Sequence, residues 1–376
     1  FLSAWTKQMT TELNITLGPV ALGLSWPGGD RQDYPYIWLR DNDPAGFHPV
    51  TEERTADLLE IPATPQAETA AFAGDAIEVH WRDGATSRFG LDWLNTHRPG
   101  KPSLDPARRA PVVWRSGFEV ARFAADAILG SDGELRDWLD ATATKGITII
   151  EGVGREPGAG LAMAQRVGFL RETNFGVSFE VKSKPNPINL AYTALALPLH
   201  TDLPNQELPP GFQFLHCIAN EASGGGSVFA DGYALAEALR DADPAAFDLL
   251  ARIPIPFRFH DRSTDIRVHH PVIGLAPGSD TVQEVCWSTH MADTFDMAAD
   301  VMPAYYDAYR AFMTLTRDPA FQVRLKLKAG EIVVFDNRRI LHGRDAFNPN
   351  EGYRHLQGCY VDRGEFLARL RVLSRV

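Results

Sequence analysis

Cysteine is scarce in this sequence, with three in 376 residues. Cys217, Cys286 and Cys359 stand far apart and show no CxxC spacing. That excludes a disulfide framework or a zinc ribbon and fits a reducing, cytoplasmic compartment. Long apolar runs are also missing. No stretch reaches the roughly 18 residues that would suggest a membrane span. The opening FLSAWTKQMTTELNITL lacks the basic start and apolar core of a signal peptide. Positive charge is in deficit: 37 Lys and Arg against 48 Asp and Glu leave a net charge of −11. This balance argues against nucleic acid or an anionic membrane as the main partner. It does not exclude an anionic small substrate, because a pocket can be basic inside an acidic protein. No GxGxxG or Walker sequence follows a strand-like run, so a nucleotide-binding fold has little support.

What is present is an ordinary globular composition, 44% hydrophobic and 23% charged. The length suggests two or three domains. Residues 12–23, 34–39, 76–82 and the following RFGLDWL read as strands of a small β-rich N-terminal domain, 1–97. Residues 98–115 are rich in Pro and Arg and read as a linker. From 116 to 376, helical patterns such as GELRDWLDATATKG and PAYYDAYRAFMTLTRD alternate with short strand-like runs. The runs include GFQFLHCIAN, GGSVFADG, EIVVFDN and YRHLQGCYVD. Many short strands with flanking helices predict a mainly β fold, a sandwich or barrel rather than a doubly wound sheet. The stretch 181–198, VKSKPNPINLAYTALALP, reads equally as a lid and as a surface loop.

The chemistry begins at LPLHTDLP, residues 197–204. In a strand, positions i and i+2 share a face, so His200 and Asp202 would converge on one point. A lone HxD is common by chance, and the second half decides. EIVVFDNRRILHGRDAF, 331–347, runs as a hydrophobic strand into DN and then His342. Two imidazoles and one carboxylate, with open positions on the other face, suit a non-haem Fe(II) that must also bind a co-substrate and O₂. Zinc hydrolases can use the same set but usually leave one open position. Arg354 lies twelve residues after His342. Its guanidinium could hold a carboxylate in a bidentate pair, and Ser227 could add a hydroxyl donor. Together these would take a dicarboxylic 2-oxo acid.

HTDLP, PPGFQFLHCI, GGGSVFADG, VVFDNRRILHGRDAF and YRHLQGCYVD together resemble the taurine/alpha-ketoglutarate dioxygenase superfamily. The closer likeness is to its gamma-butyrobetaine and trimethyllysine dioxygenase branch, and PYIWLRDN and FGLDWL resemble the accessory domain of that branch. The resemblance implies a double-stranded β-helix, or jelly roll, and commonly a homodimer. It implies His200, Asp202 and His342 as iron ligands, and Arg354 with Ser227 as the 2-oxoglutarate anchor. It implies O₂-dependent hydroxylation of a small trimethylammonium zwitterion. In that branch an aromatic cage holds the quaternary cation, which has no N–H to donate. Tyr192 and Tyr360 match cage positions, and Phe175 and Phe179 fall near two others.

Two departures narrow the expectation. Asp43, Ala45 and His48 stand where the branch carries zinc-binding cysteines, and Ala85 stands about where it has a later histidine. No structural zinc is expected, and packing around Trp38, Trp81 and Trp93 would have to replace it. At the anionic end, Asn189 matches one substrate-binding asparagine. The other region reads CWSTHMAD, offering Ser288, Thr289 and His290. Hydroxyls and a histidine suit a head group with three acceptor oxygens. The best-matching substrate is 2-(trimethylammonio)ethylphosphonate, hydroxylated beside phosphorus. The alternatives are gamma-butyrobetaine, and a non-catalytic zwitterion-binding protein on the same scaffold.

Overall fold

The structure is a computed structural model that describes residues 13–26, 28–101, 105–182, 195–348 and 352–375. The chain forms two compact units, Phe1–Asp105 and Pro106–Val376. The first holds two three-stranded antiparallel sheets. One is β1 (Asn14–Leu17), β2 (Ala21–Ser25) and β3 (Arg31–Pro35); the other is β4 (Ala67–Ala73), β5 (Ala76–Trp81) and β6 (Thr86–Gly90). Tyr36–Asp41 and Leu91–Thr96 are helices, although YPYIWL and RFGLDWL read as strands from sequence. Pro35 at the helix entry ends β3, and the buried Tyr36 and Leu39 then follow an i, i+3 spacing that only a helix puts on one face. Trp81 is buried in this unit's core, and Trp38 and Trp93 pack against it. Asp43 accepts from the Ala45 N–H at 3.0 Å and from the Ser87 hydroxyl. His48 Nδ1 accepts from the Thr51 N–H at 3.1 Å. Backbone and hydroxyl donors therefore occupy these two side chains.

The second unit is a jelly roll. A six-stranded sheet runs β7 (Arg122–Ala124), β8 (Ile147–Glu151), β18 (Glu331–Asp336), β11 (Phe212–Asn220), β20 (Arg354–Val361), β9 (Phe179–Val181) in spatial order. A four-stranded sheet runs β10 (Leu197–His200), β19 (Ile340–Arg344), β12 (Ser227–Asp231), β17 (Gln322–Leu325). From β9 to β12 and from β17 to β20 the chain alternates between the two sheets. Two hairpins, β13 (Ile255–His260) with β14 (Asp265–His270) and β15 (Ile273–Leu275) with β16 (Val282–Val285), lie in the insertion between β12 and β17. Residues 106–115, the end of the linker stretch, run along this unit. Trp114 is buried there and donates from Nε1 to the Lys145 carbonyl at 2.9 Å.

Period-2 patterning sorts the side chains into three layers. Phe212, Phe214, Ile332 and Val334 pack outward against the helix Asp132–Lys145 through Leu135, Trp138 and Leu139. Leu199, Val228, Ala230 and Leu341 pack outward against the helices of the insertion. Between the sheets, Leu215, Cys217, Phe229, Val333, Phe335, Ile340 and Leu356 form an apolar plug. The plug fills only part of the interior, and polar side chains share the rest. Gly343 lets β10 close on β19, since a Cβ there would meet the Leu197 carbonyl oxygen at 2.5 Å.

Candidate functional site

His200 ends β10, and His342 sits directly opposite it in the β10–β19 register. Their rings lie 4.3 Å apart between centroids. Asp202 is not in the strand. Strand β10 stops at His200, and Leu203 adopts a left-handed φ of 53°, which is strained for a side chain of this size. The convergence expected from a strand is achieved instead by a turn. Asn337, in the bend between β18 and β19, holds that turn. Its Oδ1 accepts from the Asp202 N–H at 2.7 Å, and its Nδ2 donates to the Asp202 and Pro210 carbonyls at 3.0 and 3.2 Å. Asn337 is fully buried. Replacing it with alanine would leave a buried N–H and carbonyls without a partner, so Asn337→Ala should destabilise the unit by about 2–3 kcal/mol. A denaturant midpoint reads this directly; a midpoint equal to wild type would mean that other contacts hold the turn.

Asp202 Oδ1 lies 3.2 Å from His200 Nε2 and 3.6 Å from His342 Nε2. Among the described residues, these three form the one group of His, Cys, Asp or Glu placed to hold a metal ion. His200 Nδ1 is 2.9 Å from the Pro198 carbonyl. Donation there fixes the tautomer and leaves Nε2 with its lone pair facing Asp202, the usual arrangement of a metal-binding histidine. Burial would raise the Asp202 carboxyl. The flanking His342 and His200, with a hydrogen bond from Tyr360, outweigh burial and hold it well below the usual range. Burial and the neighbouring His200 push His342 down to about 3, so its neutral, ligating form prevails.

The cleft beside these residues is lined by Phe175, Phe179, His200, Asp202, His290 and Tyr360, with apolar neighbours. Phe179 stacks on Tyr360 with centroids 5.2 Å apart and lies over Gly358, where any Cβ would strike its ring. The Tyr360 hydroxyl donates to Asp202 Oδ2 at 2.7 Å. The three candidate residues of the CWSTHMAD stretch, Ser288, Thr289 and His290, part company. His290 faces the cleft, with its ring 4.9 Å from that of His200. Ser288 is fully buried with its hydroxyl 3.3 Å from His290 Nδ1. Thr289 lines a different cavity, with Trp287, Met313 and Arg344. Tyr192 and Asn189 lie outside the described residues, as does most of the 181–198 stretch.

Arg354 opens β20 and is 6% exposed. Its Nε and Nη1 have no hydrogen-bond partner among the described residues, and burial lowers its pKa to about 10. A buried guanidinium without a carboxylate costs several kcal/mol, and a dicarboxylate ligand would relieve that cost. Ser227 starts β12 in register with Arg344 of β19. Arg344 is a second buried cation near enough to depress Arg354. Sequence reasoning did not assign Arg344 or Asn337. The HxR alternation of β19, which puts Arg344 on the face of His342, was the available signal.

The model of the taurine catabolism dioxygenase TauD, TfdA family matches residues 69–360. The chain belongs to that family. It is an Fe(II)- and 2-oxoglutarate-dependent dioxygenase. The gamma-butyrobetaine dioxygenase of Pseudomonas sp. (strain AK-1) is 43% identical to it over 360 residues, covering 94% of each chain. The Homo sapiens gamma-butyrobetaine dioxygenase is 28% identical over 372 residues, covering 95% of each. The mitochondrial trimethyllysine dioxygenase of Gallus gallus is 28% identical over 354 residues, 91% of this chain and 83% of its own. The solved structure of AAD-2 in complex with Mn(II) and N-oxalylglycine superposes with a TM-score of 0.51 at 16% identity, covering 68% of this chain and 98% of that one. At that identity it speaks for the fold alone. No helix among the described residues of the dioxygenase is long and apolar enough to cross a membrane.

Proposed function

We propose that this dioxygenase hydroxylates a C–H of a small trimethylammonium zwitterion, with His200, Asp202 and His342 as the iron ligands. The observation that carries the reading is the position of this triad at the head of a cleft walled by Phe175, Phe179 and Tyr360. The donor set fits Fe(II), because two imidazoles and a carboxylate leave one face open for a co-substrate and O₂. When bound, iron with 2-oxoglutarate and O₂ supplies the oxidising chemistry, releasing succinate and CO₂ as the C–H becomes C–OH. The chain's part is positioning. Arg354, with Ser227, anchors the far carboxylate of 2-oxoglutarate. The aromatic wall, with Tyr192, receives the quaternary cation through ring faces and apolar contact. His290, backed by Ser288, and with Asn189, receives the anionic end; Thr289, which faces the other cavity, drops out of this role.

The finer assignment is 2-(trimethylammonio)ethylphosphonate, hydroxylated at the carbon beside phosphorus. Its support is the Ser288–His290 pair, which stands where the branch presents amides. Gamma-butyrobetaine is the second reading, favoured by the 43% identity to a bacterial gamma-butyrobetaine dioxygenase. Succinate release by iron-loaded enzyme separates the two, run with either compound or with trimethyllysine. Stimulation by the phosphonate alone is the expected result. Stimulation by gamma-butyrobetaine alone would overturn the phosphonate assignment, and no stimulation by any of the three would overturn the trimethylammonium reading.

A further inference from the structure

The two oxygens of Asp202 have different partners. Oδ1 faces His200 Nε2 and His342 Nε2 at 3.2 and 3.6 Å. Oδ2 accepts the Tyr360 hydroxyl at 2.7 Å. Asn337 fixes the peptide groups on both sides of the same residue. The backbone is therefore held by one side chain and the outer oxygen by another, which leaves the carboxylate little freedom to rotate about its own axis.

We propose that Tyr360 is a positioning residue that keeps Asp202 a one-oxygen ligand. This rests on the assignment of Asp202 as an iron ligand. A free carboxylate can turn and offer both oxygens to one metal, as it does in calcium sites. A second oxygen from Asp202 would take a position on the open face, where a chelating 2-oxo acid needs two and O₂ one. A hydrogen bond from a phenol to Oδ2 opposes that rotation, because turning would forfeit a charge-assisted bond in a cleft lined mainly by apolar and aromatic side chains. The same ring stacks on Phe179 in the wall proposed to receive the cationic end of the substrate. Tyr360 thus joins the substrate wall to the ligand set, and the substrate's contact with this ring bears on a group bonded to Asp202.

Tyr360→Phe separates the hydroxyl from the ring. Phe keeps the ring stacked on Phe179 and removes only the donor, so the fold should persist and thermal melting checks it. Anaerobic titrations then give two affinities for wild type and variant, Fe(II) alone and 2-oxoglutarate in the presence of Fe(II). The expected result is an Fe(II) affinity equal to or tighter than wild type, because a second carboxylate oxygen replaces the support the phenol gave, with 2-oxoglutarate binding weaker by about tenfold, or about 1.4 kcal/mol, as that oxygen competes for a chelating position. An infrared difference spectrum supplies a second reading on the wild type. Addition of Fe(II) should give the wide carboxylate splitting of a one-oxygen ligand, which the Asp202→Asn variant lacks. Equal affinities in Tyr360→Phe and wild type would overturn the proposal, as would a parallel loss of Fe(II) and 2-oxoglutarate binding. A narrow, two-oxygen splitting in the wild type would also overturn it. Failure of the wild type to bind Fe(II) at all would instead remove the ligand assignment on which it rests.

Discussion

Replacing His200 or Asp202 by alanine is expected to abolish turnover and leave the fold in place. Losing an outer-shell partner costs a metal site roughly 10–100-fold in affinity or activity, and losing one of three ligands costs more. The fold should survive because neither side chain belongs to the apolar layers. Asp202 is held through its backbone by Asn337, which alanine does not disturb. His200 lines the cleft beside its neighbour His342. Calorimetric Fe(II) titration and thermal melting together check this. An alanine variant that binds iron and turns over like wild type would remove the triad from the mechanism.

Arg354→Ala should raise the KM for 2-oxoglutarate by a factor of roughly 30 to several thousand. The range follows from the 2–5 kcal/mol lost when one partner of a buried, hydrogen-bonded charge pair is truncated, at about 1.4 kcal/mol per tenfold. The upper part applies if Arg354 meets the carboxylate through two N–H groups on one edge of the guanidinium. Arg344, in the same interior, would keep some attraction for the dianion and pull the effect down. Arg354→Lys should recover only part of the loss, since a point charge cannot reproduce the two-pronged geometry. An unchanged KM in Arg354→Ala would transfer the anchor to Arg344. Initial rates against 2-oxoglutarate concentration decide this.

The candidate ligand set was legible because its residues are spelled locally. HTD needs no tertiary information to stand out, and His342 follows a hydrophobic strand that buries on both faces, a pattern visible as EIVVF. The mainly β architecture was legible for a related reason, since many short strands with flanking helices favour a sandwich or barrel; the jelly roll itself came from the family resemblance. What escaped depends on contacts between distant segments. The Tyr360 hydroxyl reaches an aspartate 158 positions away, and Asn337 reaches 135 positions to the same residue. From sequence, Tyr360 was only a cage ring and Asn337 only the end of the strand-like run EIVVFDN. The i, i+2 argument expected His200 and Asp202 to converge, and they do, but through a turn, because β10 ends at His200, two residues before Asp202. Ser288 and Thr289 show the limit of reading a cluster from adjacency, since one is fully buried and the other faces a separate cavity. The misread helices Tyr36–Asp41 and Leu91–Thr96 are one or two turns long, where aromatic and branched residues favour strand on propensity and only packing decides.

The most direct measurement is a crystal structure of the enzyme with Mn(II) and N-oxalylglycine, using anomalous scattering to locate the metal. The expected peak lies within bonding distance of His200 Nε2, Asp202 Oδ1 and His342 Nε2, with the distal carboxylate of the 2-oxoglutarate analogue on Arg354. A metal elsewhere, or an analogue whose carboxylate avoids Arg354, would contradict the assignment of this site.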